Sequence, residues 1–126
     1  MVTRSLSLLV ALLLALCWTG CKQQAPSPWN EMKFPLRHGE ILPGADANNL
    51  KVLYRSTDRR KDLYREFRRS LERSGYKHER DGKAHDPPGN TYSGVFKKEA
   101  AELLLTVSGA GVGDTNVEVK RLDWSD

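Results

Sequence analysis

Two cysteines, three histidines and a few close-set acids are the residues of this chain that could do chemistry. Cys21 stands out because of what precedes it. Arg4 places a positive charge near the start, and Leu6 to Trp18 is almost entirely apolar. Thr19 and Gly20 then put small residues just ahead of the sulfur. This is the layout of a secretory signal, with small residues and then a cysteine where the cleavage site would be. The apolar run is about thirteen residues, short of the roughly twenty that a spanning helix needs. A core helix of that length would show a polar face, and this run offers only Ser7. An uncleaved N-terminal anchor and an ordinary signal followed by a chance cysteine are the competing readings.

The other candidates are weaker. His78, His85 and Asp86 form the one local cluster of metal-ligand types, with His38 distant in sequence. A metal site needs three or four converging ligands. These lie on a short strand and a proline-rich loop, which favours solvated loop histidines, so no metal is expected. Glu99 and Glu102 could share a face, but exposed carboxylates lack the burial that separates the pKa values of an acid and a base. Gly109 to Asp114 has the glycine content of a phosphate-cradling loop. Such loops open a helix after a strand, and here a strand follows, so a hairpin turn is expected. No nucleophile is linked by spacing to a base. The chain reads as a non-enzyme that uses no cofactor.

With Thr19-Gly20-Cys21 behind the apolar run, the first twenty-one residues resemble the signals of bacterial lipoproteins. The resemblance implies cleavage before Cys21, a diacylglyceryl group on its sulfur and acylation of the new amine. It implies an address in the cell envelope, at a membrane and facing the periplasm or the exterior. It implies no activity.

Removal of residues 1–20 as a signal peptide leaves about 105 residues, enough for one domain. The mature chain would then hold no cysteine for disulfides, thiol catalysis or metal binding once Cys21 is lipidated. All sixteen acids and nineteen of the twenty Lys and Arg follow Cys21, a net charge near +3 with both signs interspersed. That balance suits solubility and attraction to anionic surfaces and does not suggest nucleic acid.

Elements must position whatever remains. Residues 21–31, the lipidated cysteine and a polar stretch with Pro26 and Pro28, read as a flexible tether. Trp29 sits at the membrane interface or docks on the domain, with docking favoured. Residues 32–126 read as a single α+β domain. Met32 to Leu42 is irregular, broken by Pro35 and Gly39, with Pro43 beyond. Leu50 to Arg55 has strand composition, and Ser56, Thr57 and Asp58 offer helix caps. Asp58 to Ser74 predicts a helix whose apolar stripe is Leu63, Tyr64, Phe67 and Leu71. Gly75 suits the left-handed residue that ends it, and Tyr76 could pack back on the last turn. Strands are predicted at Tyr76 to Arg80, Thr91 to Lys98, Glu102 to Ser108 and Thr115 to Leu122, with a turn-rich loop from Asp81 to Asn90.

The expectation is one amphipathic helix packed on a single antiparallel sheet of about four to five strands, in β-α-β-β-β order. Leu42-Pro43-Gly44-Ala45, Tyr54 to Asp58, Leu63 to Phe67 and Leu71 to Tyr76 resemble a pattern in small bacterial envelope α+β domains. That resemblance supports the fold and implies no chemistry. The outward helix face carries Arg59, Arg60, Lys61, Arg65, Arg68, Arg69 and Arg73. An ordinary solvated face, balanced by Asp58, Asp62, Glu66 and Glu72, is the favoured account of it. Trp29, Arg65, Arg68 and Arg69 are the candidate contacts to a partner or an anionic surface.

The functional expectation is a lipid-anchored accessory or structural subunit, or a tethered interaction module, with an envelope protein as a possible partner. The alternative is a periplasmic small-ligand binder with its site between helix and sheet near Tyr64, Tyr76 and Tyr92.

Overall fold

The structure is a computed structural model that describes residues 24–55 and 59–122. The signal segment, Cys21 and the capping candidates Ser56, Thr57 and Asp58 lie outside the described residues. No helix among the described residues is long and apolar enough to cross a membrane.

The elements are β1 (Gly39–Ile41), β2 (Asn49–Tyr54), α1 (Arg60–Arg73), β3 (Lys77–Asp81), β4 (Tyr92–Lys98), β5 (Ala101–Gly109) and β6 (Thr115–Arg121). Short 3-10 turns occur at Trp29–Met32 and Pro87–Gly89. The strands form one antiparallel sheet in the order β1-β2-β6-β5-β4-β3. The α+β class holds, with one helix on one sheet. The sheet has six strands instead of the expected four or five, and a hairpin opens it, so the order is β-β-α-β-β-β-β.

The missed strand is β1. Gly39 reads as a breaker in sequence, yet it pairs with Tyr54. A methyl carbon on Gly39 would lie 2.6 Å from Val52 Cγ1 and 2.8 Å from the Tyr54 ring. The bare glycine is what lets the neighbouring strand's ring lie across this edge.

Period-two alternation divides the sheet into two faces. Leu50, Val52, Leu103, Leu105, Val107, Val117 and Val119 point to one face and are fully buried. α1 crosses that face with Leu63, Phe67 and Leu71 against it. Each such side chain contributes about 1.5–3 kcal/mol by leaving water. The helix ends as expected. Gly75 takes φ +97°, its N–H donates to Glu72 O at 3.0 Å, and Tyr76 N–H donates to Leu71 O at 3.0 Å. These two bonds close the last turn and satisfy carbonyls that would otherwise be orphaned.

The region expected to be a tether completes the same layer. Ala25, Trp29, Met32 and Phe34 are core residues, and Trp29 is only 1% exposed. The Trp29 indole N–H donates to Asp46 O at 2.6 Å. Phe34 stacks on Phe67 at 4.9 Å, and the Tyr54 hydroxyl donates to Pro35 O at 2.6 Å. The folded unit therefore begins by Ala25 rather than at residue 32. Its polar, proline-rich composition hid one large anchor, Trp29.

Candidate functional site

Three regions carry polar chemistry: the outer side of α1, a histidine cluster beside β3, and the face of the sheet turned away from α1.

On α1, Arg65 and Arg69 are exposed, while Arg68 is drawn inward. The Arg68 guanidinium lies 5.9 Å from the centre of the Phe96 ring and bonds Glu72 at 3.2 Å. Arg60 does not join the outward face, because its guanidinium lies over Gly109 at the end of β5. Arg73 bonds Ser70 Oγ at 3.3 Å, beside Lys33. Trp29 was expected as a surface contact. Its ring is enclosed by Phe34 and the core, so it presents no surface to a partner.

The histidine cluster assembles differently from the sequence expectation. Asp86 pairs through its backbone with Thr91 and stays out of it. Asp81 takes its place, with Oδ1 3.4 Å from His78 Nε2 and Oδ2 3.9 Å from His85 Nε2. The signal missed was the bulge between His78 and Arg80, which re-aims the end of β3. His85 Nδ1 accepts the Ser93 N–H at 3.0 Å, so the ring's proton lies on Nε2, toward Asp81. His78 Nε2 is buried without a hydrogen-bond partner. Tyr64 packs on Tyr92 at 5.8 Å and lies 6.5 Å from His85.

Burial pushes the Tyr64 phenol up, and Arg68 beside it pulls the other way. A phenol held in its protonated form is a poor base or nucleophile at neutral pH. Among the described residues no group of three His, Cys, Asp or Glu could hold a metal ion. The cluster acts as a latch that fastens the loop after β3 to α1 and β4.

The remaining candidates separate. The Tyr76 ring lies under the Lys98 ammonium at 5.8 Å. Glu102 bonds Arg80 at 2.8 Å, while Glu99 sits in the β4–β5 turn with φ +54°. Gly109 to Asp114 closes the β5–β6 hairpin, with Gly111 and Gly113 at positive φ. His38 is exposed in the turn before β1.

The sheet's second face has no covering helix among the described residues. Lys51 pairs with Glu118 at 3.6 Å, and Ser93 Oγ meets Thr106 Oγ1 at 3.2 Å. Val95 and Leu104, partners across β4 and β5, form an apolar floor. The loop after β3 folds over them. Gly82 N–H donates to Ser93 O at 2.9 Å, and a methyl on Gly82 would lie 3.0 Å from Leu104 Cδ1. Floor, loop and Leu122 enclose a cavity of about 370 Å³. No sequence pattern announces this cavity, because its wall is a loop held by long-range contacts.

Compared with protein-family models, curated proteins and solved structures, the chain matches none of them. Its own residues must carry the functional reading.

Proposed function

We propose that this chain is a lipid-anchored, non-enzymatic interaction module of the bacterial cell envelope, held at a membrane through Cys21. The observation that carries the reading is the apolar run Leu6 to Trp18, closed by Thr19-Gly20-Cys21 and followed almost at once by the fold. Ala25 is already a core residue. Four residues span at most about 14 Å. A lipid on Cys21 would therefore hold the domain beside the head groups, with Arg65 and Arg69 on a helix exposed to whatever lies near. Two or three acyl chains give stable anchoring where one does not. Confinement to a surface then raises the effective concentration of the uncovered sheet face toward partners on the same membrane.

Replacing Cys21→Ala tests this reading. The substituted chain should lose its acylated form, while the wild-type chain stays with the membrane fraction after salt and carbonate washing. A wild-type chain that washes free would remove the anchor from the account. Photocrosslinking from Lys51 or Thr106 in intact envelopes then addresses the partner. A discrete protein adduct supports the sheet face as the contact, and no adduct above background counts against it.

A second reading, a small-ligand-binding domain, is favoured by the cavity over Val95 and Leu104. That cavity lies on the uncovered face of the sheet.

A further inference from the structure

We propose that the cavity on the uncovered sheet face binds a small carboxylic acid with an apolar tail. The inference rests on the ligand-binding reading and is independent of the lipid anchor. The volume of about 370 Å³ falls within the size range of small-ligand sites. Its floor is apolar, formed by Val95 and Leu104, and Leu122 stands at the rim with 39% of its surface exposed. An exposed leucine beside a half-open apolar floor gains from being covered. Ser93 and Thr106 add one hydroxyl pair, already bonded to each other, which leaves the floor few unmet polar demands.

The charges around the cavity select the head group. Arg80 is held by Glu102 at 2.8 Å and Glu79 at 3.3 Å. Asp81 also lines the cavity, with its carboxylate oxygens aimed at the Nε2 atoms of His78 and His85. Lys83 lines the rim, and Lys120 is the cross-strand neighbour of Leu104. Neither lysine has an acidic partner within ion-pair distance among the described residues. An apolar floor with Lys83 at its rim and Lys120 on the neighbouring strand, neither ion-paired among the described residues, is complementary to one negative charge on an apolar body. A cationic amphiphile would meet repulsion from these lysines, and a neutral one would lack the attraction.

The test uses the mature chain from residue 21 onward with Cys21→Ser, which retains every described residue. Decanoate, decanol and decylammonium are titrated as monomers while backbone amide resonances are followed. Decanoate should shift Gly82, Ala84, Leu104 and Leu122 saturably and bind about tenfold more tightly than decylammonium. Lys83→Gln with Lys120→Gln should bring decanoate to parity with decanol. Leu122→Asp, at an exposed position that leaves the core intact, should weaken all three. Equal binding of the three probes at this cavity would overturn the carboxylate assignment while leaving a ligand site. No saturable shift with any probe would overturn both. A contact between the Trp124 ring and Leu104 in the ligand-free chain would also overturn the proposal, since the chain's own end would then occupy the cavity.

Discussion

The two faces of one sheet are built from alternate residues of the same strands, yet they do different work. Leu103, Leu105 and Val107 face α1 and are fully enclosed, while Leu104 and Thr106 between them are only half-buried. The first face is dry and aromatic at its centre, where Phe34, Phe67 and Tyr54 meet. The second carries paired charges and a cavity. Stability is concentrated where burial is complete. The open face is where the proposed recognition would cost the fold least. A period of two lets one sequence serve both, because neighbouring positions never compete for the same environment.

Substitutions on each face sharpen that contrast. Phe67→Ala should have the largest effect, since it empties the point where Phe34 and Tyr54 meet α1. A loss of about 3–5 kcal/mol is expected in urea denaturation. Trp29→Ala should cost about 3 kcal/mol, and Trp29→Phe about 1–2 kcal/mol for the lost bond to Asp46 and the smaller ring. A free tether at residues 21–31 would instead make both changes neutral.

Tyr54→Phe tests the polar seam of the covered face. Burial, with Glu66 nearby, pushes the Tyr54 phenol far above its ordinary range, and Arg59 opposes this. Its stabilising effect is therefore complete below the ordinary tyrosine value of about 10 and fades as pH rises beyond it, because the unfolded chain releases its proton first. The urea midpoint of the wild-type chain should fall between about pH 10 and 11, and Tyr54→Phe should fall less steeply. Identical slopes would contradict the role given to this hydroxyl. Glu118→Gln on the open face should change stability by less than about 1 kcal/mol, because its pair with Lys51 is long, at 3.6 Å, and open to solvent on the lysine side. A larger loss there would mean that the open face also holds the fold together.

The covered face was legible in the sequence because its rules are local. Leu63, Phe67 and Leu71 announce a helix by their spacing, Gly75 announces its end, and alternating valines announce β6. Each signal lies within a few residues of what it specifies. Features that depend on distant partners were not legible. Gly39 serves as a strand residue because its missing side chain leaves room for the Tyr54 ring. Trp29 is a core residue only because Asp46 and Phe34 receive it. Asp81 displaces Asp86 beside the histidines because a bulge in β3 redirects the chain. The cavity depends on Gly82 passing close to Ser93 and Leu104, a contact no composition rule records. The basic residues of α1 look alike in sequence. Packing separates Arg60 and Arg68, which touch the sheet side, from Arg65 and Arg69, which remain free to solvent.

Ala25 is the first core residue among the described residues, four positions after Cys21, so the proposed anchor would sit beside the fold. The most direct test is the intact mass of the protein extracted from envelopes, with fragmentation of its first residues. The account predicts a chain that begins at Cys21 and carries a diacylglyceryl group on the sulfur. A chain that begins elsewhere, or that begins at Cys21 with a free thiol, would contradict it.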